Sequence, residues 1–138
     1  ENYADQAESD DGQKRLFAED AAKGFAFIDL CRKRFDVVLM NPPFGEFSKN
    51  WKADGTKIYQ YSGGDLLAAF VQRTISFLEK ANKLGAITSR TCFFIKTFKE
   101  WRNSIVLKQF HIDCFADLGM GIMDDAMVES AAYILEKK

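Results

Sequence analysis

Apolar and polar positions along this chain fall into short runs with sharp stops. Phe35-Asp36-Val37-Val38-Leu39-Met40 is the clearest of them, β-branched and apolar and halted at once by Asn41-Pro42-Pro43. Such a run predicts a buried parallel strand ending in a loop, because two prolines forbid its continuation. Ahead of it, Arg15 to Asp20 reads as a short strand and about Ala21 to Lys33 as a helix. Behind it, Gly45 to Gly64 shows no clear period and reads as a long loop carrying Trp51, Tyr59 and Tyr61; loops of that length are either functional or disordered. Asp65 then caps a helix in which Leu66, Ala69, Phe70, Ile75 and Leu78 approximate helical spacing, ending near Asn82 to Gly85. Gly85 to Thr88 is the next strand. Phe98, Trp101, Ile105 and Val106 form the apolar face of a further helix, His111 to Leu118 a strand, and a turn through Asp124 and Asp125 leads to a last strand, Ala131 to Leu135.

Strands alternating with helices in this order predict the α/β class, specifically part of an open sheet with right-handed crossovers. Ligands in such sheets lie beyond the carboxyl ends of the strands, and Asn41 stands at one of those ends. A chain of 138 residues carries one core. We divide it into a flexible acidic lead-in, residues 1–14, and a single domain, residues 15–138.

Charge changes the picture only a little. The net charge of −1 hides an acidic start, with seven acids and two bases in residues 1–20, and a remainder with seventeen bases against thirteen acids. That surplus suits a polyanionic partner without deciding for one. Three widely spaced cysteines (Cys31, Cys92, Cys114) and the single His111 do not make a zinc site of the usual spacing, so no metal is expected. The apolar runs are short and interrupted by charge, which predicts no membrane span and a cytoplasmic protein.

Asn41-Pro42-Pro43-Phe44 after an apolar strand resembles motif IV of the amino-methyltransferases. Four residues alone also fit an incidental Pro-Pro turn, but three more segments follow in register. Asp65-Leu66-Leu67-Ala68-Ala69-Phe70 looks like the family's motif V, and Gly85 to Thr88 with Arg90 like the strand motif after it. Asp117-Leu118-Gly119 through Asp124 to Ala132 looks like the motif VIII region. From Phe35 to Lys138 the chain is therefore similar to the adenine-specific (N6) DNA methyltransferases, in particular the large enzymes of restriction-modification and BREX-type phage-defence systems.

That resemblance implies a partial Rossmann-like S-adenosylmethionine-dependent methyltransferase sheet, strands 4, 5, 7 and 6 of the family order 3-2-1-4-5-7-6, with flanking helices. It implies methyl transfer from S-adenosylmethionine to adenine N6 in double-stranded DNA, the adenine being flipped out, with restriction or defence-system subunits as further partners. Catalytic roles carry over to Asn41, Pro42, Pro43 and Phe44. The Asn41 oxygen and the Pro42 carbonyl would accept the two amino N–H bonds, Pro43 would stiffen the turn, and Phe44 would stack on the base. Asp20 and Asp65 are candidate cofactor contacts, though Asp65 also reads as a plain helix cap. Ile122 and Met123 stand where relatives close the second face of the target base.

No Gly-rich cofactor loop occurs in this chain, and the resemblance places that loop upstream of Glu1. We therefore expect weak or no S-adenosylmethionine binding, no activity from this chain alone, and self-association through an exposed edge of strand 35–40. Two other readings stay open: amino-methylation of RNA or of a protein glutamine by the same loop, and a non-catalytic DNA-binding or scaffold subunit. Lys49, Lys52 and Lys57 among the loop aromatics fit nucleic-acid contact or a plain loop equally well. Lys96, Lys99, Arg102 and Lys108 read first as the solvated face of a helix.

Overall fold

A computed structural model describes residues 2–122 and 128–138. They form two compact units, residues 1–33 and 34–138. The turn expected at Asp124 and Asp125 lies outside the described residues.

The first unit is one helix, α1 (Asn2–Arg32). It corrects one expectation, the strand at Arg15 to Asp20. The helix holds six alanines and no proline, and Gly12 and Gly24 are tolerated within it although each costs about 1 kcal/mol against alanine. Arg15 and Glu19 pair across one turn at 3.3 Å, a spacing that a strand does not offer.

The second unit holds β1 (Phe35–Met40), α2 (Lys52–Ile58), α3 (Leu66–Thr74), β2 (Leu78–Ser89), α4 (Thr91–Phe94), α5 (Lys99–Trp101), β3 (Phe110–Gly119) and β4 (Ser130–Lys137). A wide π-type turn, Arg102–Leu107, continues α5. The sheet order is β1-β2-β4-β3. β1 runs parallel to β2, while β4 lies antiparallel to both β2 and β3. This is the order expected for strands 4, 5, 7 and 6.

The helix from Asp65 ends at Thr74, not near Asn82 to Gly85. Leu78 to Leu84, which has helical composition, instead belongs to β2 and pairs with β1. Ala81 takes a positive φ of 69°, and the register slips between the Phe35–Leu78 and Val37–Lys83 pairs, so the extra residues bulge out. Asn82 Nδ2 donates to the Phe35 carbonyl at 3.0 Å and secures the bulge. Tertiary pairing overrides local propensity here.

One face of the sheet is packed. Leu84, Ala86 and Thr88 of β2 and Ala131, Tyr133 and Leu135 of β4 are buried there, and Leu67, Ala68 and Val71 of α3 pack with Trp101, Ile105 and Val106 in the same core. Trp101 Nε1 donates to the Ala68 carbonyl at 3.1 Å, which ties the α5 region to α3. The alternate strand residues, including Leu39, Ile87 and Ile134, point to the other face and are exposed. Together with Gly85, Cys114 and Ala116 they border a shallow apolar hollow of about 530 Å³.

Candidate functional site

The site begins where β1 stops. Asn41 is exposed at the carboxyl end of the strand, Pro42 is buried, and Phe44 is 39% exposed. Pro42 lacks an N–H, so burying it strands no backbone donor. Gly45 then turns with φ +118°, a value L side chains rarely adopt.

That turn docks on the start of α3. Leu66 N–H donates to the Gly45 carbonyl at 2.9 Å, and Phe47 N–H donates to the Gly64 carbonyl at 2.8 Å. The residues after Phe44 are thereby paired with those before α3 as a short antiparallel bridge, Glu46 opposite Asp65. Phe47 is buried and meets Trp51 edge-on with 4.8 Å between ring centroids, so the stretch read as an aperiodic loop is a folded turn built around α2. Lys52 pairs with Glu46 at 3.2 Å and Lys57 with Asp54 at 4.0 Å. Two of the three lysines near the aromatics therefore already have carboxylate partners.

Asp65 caps α3, accepting from the Ala68 N–H at 3.0 Å. Burial raises its pKa above the usual 3.8, against the lowering effect of the Ala68 and Leu67 N–H groups, and Glu46 adds to the rise. Its carboxylate also borders a cleft of about 470 Å³, a size ordinary for a small-molecule site. Phe44 and Gly45 border it from the turn after β1, Ser89, Thr91 and Cys92 from the end of β2 and α4, and Met120, Val128 and Glu129 from the segment between β3 and β4. Burial pushes the Cys92 thiol up to about 12, so it stays protonated.

Asn41 borders the apolar hollow of the open face, whereas Phe44 borders the cleft. The Pro42–Pro43 turn stands between two cavities, with an amide on one side and an aromatic ring on the other. The other predicted site residues scatter. Asp20 is exposed on α1, 3.9 Å from Lys23. Ile122 is exposed and does not border the cleft, and Met123 lies outside the described residues. Met120 borders the cleft instead; it sits between Gly119 and Gly121, both at positive φ, and that pair of glycines was the available signal for a sharp turn there. Glu129 belongs to the segment that resembles motif VIII, whereas Ser89 and Thr91 carried no signal beyond standing at a strand's end.

Among the described residues no cluster of His, Cys, Asp or Glu can hold a metal, and no helix is long and apolar enough to cross a membrane. Nor does a glycine-rich turn join a strand end directly to a helix among them.

Residues 1–121 match the model of a family described as Eco57I restriction-modification methylase. No curated protein matches the chain. Among solved structures, it is similar to a candidate class I S-adenosylmethionine-dependent methyltransferase of Listeria monocytogenes, with TM-score 0.64 and 16% identity over 76% of this chain and 32% of that one. A chain from a type I restriction-modification system matches with TM-score 0.63 and 21% identity, over 76% of this chain and 22% of its own. The M protein of the type I restriction enzyme EcoKI matches with TM-score 0.58 and 18% identity, over 76% and 21%. At these identities the likeness speaks for the fold. The chain spans between a fifth and a third of the lengths of these structures.

Proposed function

The chain belongs to the Eco57I restriction-modification methylase family, and from that premise we propose that it forms the base-accepting part of an adenine-N6 DNA methyltransferase acting in restriction-modification or phage defence in the cytoplasm. The observation that carries this reading is the Asn41-Pro42-Pro43-Phe44 turn, standing at the carboxyl end of β1 with Phe44 on the wall of a cleft.

An adenine amino group is a poor nucleophile because its lone pair is delocalised into the ring. Asn41 Oδ1 and the Pro42 carbonyl accept its two N–H bonds, which draws the lone pair back onto nitrogen and fixes its direction. Pro43 holds the turn rigid, since its φ is locked. Phe44 stacks on the face of a base rotated out of the duplex, a contact worth about 1–3 kcal/mol. When bound, S-adenosylmethionine would supply the methyl group as an electrophilic sulfonium carbon, the C–S bond breaking as the N–C bond forms so that the donor leaves as a neutral thioether while the nitrogen loses one proton to solvent. No general base is required, because the nitrogen becomes acidic once methylated. Asp65, at the cleft, is the candidate cofactor contact, and Met120, which borders the cleft where Ile122 does not, is the candidate neighbour of the base. Double-stranded DNA and other restriction or defence subunits are the partners. β1 stands at an edge of the sheet, a surface for pairing with another chain.

The test offers DNA, RNA and protein in turn to the full-length protein with labelled methyl donor, and digests the labelled product. Label in N6-methyladenine from DNA, abolished by Asn41→Ala, is the expected result. Label in RNA or in glutamine transfers the turn to another substrate, and no label at all favours a non-catalytic subunit.

A further inference from the structure

Behind the cleft, Arg90 joins three segments far apart in sequence. Its Nη1 donates to Asp117 Oδ2 at 2.7 Å, its Nη2 lies 2.7 Å from Glu129 Oε2, and its Nε donates to the same oxygen at 2.8 Å. Its own backbone N–H donates to the Glu129 carbonyl at 2.9 Å. Asp117 is fixed in turn, its Oδ1 accepting from the Gly119 N–H at 3.2 Å. The guanidinium also sits 5.8 Å from the centroid of Phe94, within cation–π range.

Asp117 lies two residues before the end of β3 at Gly119, and Glu129 immediately precedes β4. Arg90 therefore pins both chain ends that carry this border of the cleft, Met120 on one side and Val128 with Glu129 on the other. Phe44 borders the cleft from a different element, hydrogen-bonded through Gly45 to α3. A planar guanidinium suits this task where an ammonium does not, because its fork reaches two carboxylates at once with fixed angles.

We propose that Arg90 is a positioning residue: through Asp117 and Glu129 it sets the distance between the Met120–Glu129 wall and Phe44, and so the fit of a flat base between them. The part that concerns a base rests on the reading above; the part that concerns the wall does not.

The experiment uses Arg90→Gln and Arg90→Lys with two readouts. Hydrogen exchange on the chain reads the wall directly. In Arg90→Gln the amides of Gly119 and residue 90 exchange about tenfold faster or more, the scale of losing a charge-assisted hydrogen bond, while Leu84 and Leu135 in the centre of the sheet keep their protection. Steady-state methylation by the full-length protein reads the base. There kcat falls by about 10- to 100-fold, the cost of a misplacement near 1 Å, KM for DNA rises, and KM for S-adenosylmethionine is unchanged. Arg90→Lys keeps the charge without the fork and stays close to Arg90→Gln in both readouts. Unchanged exchange at Gly119 overturns the proposal. So does faster exchange with unaltered kcat and KM for DNA. A uniform loss of protection that includes Leu84 and Leu135 assigns Arg90 to general stability and overturns positioning as well. If the wild-type protein methylates nothing, the functional reading fails, and the exchange arm still decides whether Arg90 holds the wall.

Discussion

Leu66 N–H donates to the Gly45 carbonyl across 2.9 Å, so the residue next to Phe44 and the first residue of α3 move as one body. The bond depends on Gly45 holding φ +118°. Nothing lies within 4 Å of a Cβ built there, so the cost of Gly45→Ala is conformational rather than steric. We expect a loss of about 1–3 kcal/mol, read as a lower urea midpoint with an unchanged m-value, together with faster exchange of the Leu66 amide. A midpoint within error of wild type sinks this account of the turn.

Asp65 is both a helix cap and a carboxylate at the cleft, and two substitutions separate those functions. Asp65→Ala removes the acceptor for the Ala68 N–H and costs about 1 kcal/mol. Asp65→Asn keeps an acceptor oxygen and costs little. The pH dependence has a definite sign. Burial raises the folded-state pKa above 3.8, so the folded state holds the proton more tightly than the unfolded chain. The stability Asp65 contributes is thus fully present below the unfolded value and lost as pH rises through the raised folded value. The stability of wild type minus that of Asp65→Asn, followed by urea denaturation between pH 3 and pH 7, declines across that window. A rising difference contradicts burial as the dominant influence.

How much of this was legible beforehand varies with the kind of signal. β1 and its stop were readable because a continuous apolar run and two prolines act locally, although the strand is largely exposed and not buried as expected, and the strand order followed from the resemblance of four motifs in register. α1 was misread at residues 15–20 because a short apolar run, Leu16-Phe17-Ala18, carries no period of its own and only its neighbours make it helical. The end of α3 was misplaced for the opposite reason: Leu78-Glu79-Lys80-Ala81 has helical composition, and only pairing with β1 across some forty residues turns it into strand. The Met120–Glu129 wall of the cleft escaped because it is assembled by Arg90, Asp117 and Glu129, whose partnership appears only in three dimensions.

Burial holds the Cys92 thiol near pKa 12, while Cys114 is exposed and Cys31 partly so. Thiolate is the reactive form. At pH 8 a chromogenic disulfide reagent therefore modifies Cys114 and Cys31 promptly and leaves Cys92 untouched until denaturant is added. Prompt modification of three thiols in the native protein refutes the burial. Since Cys92 Sγ already donates to the Ser89 carbonyl at 3.2 Å, Cys92→Ser keeps a donor in place and should cost about 1 kcal/mol or less, read as the urea midpoint.

Two glycines meet close neighbours, and the nature of each neighbour decides the outcome. A Cβ on Gly55 lies 2.7 Å from the Trp51 ring and 2.8 Å from Phe47. Both rings are held by their edge-on contact at 4.8 Å, and Phe47 is buried, so neither can yield without opening the folded turn beside Phe44. Gly55→Ala should cost about 1–3 kcal/mol, the usual scale of overpacking, and shift the Trp51 emission as its environment changes. A Cβ on Gly85 also falls 2.7 Å from an atom, but that atom is Cδ2 of Leu39, the free end of a side chain 80% exposed. Leu39 can rotate away, and alanine loses less backbone entropy than glycine in a strand by about 0.5–1 kcal/mol. Gly85→Ala is therefore expected to be neutral or slightly stabilising. The two variants, compared side by side in urea, should differ in midpoint in that direction; equal costs would mean that the Trp51–Phe47 contact does not hold the turn.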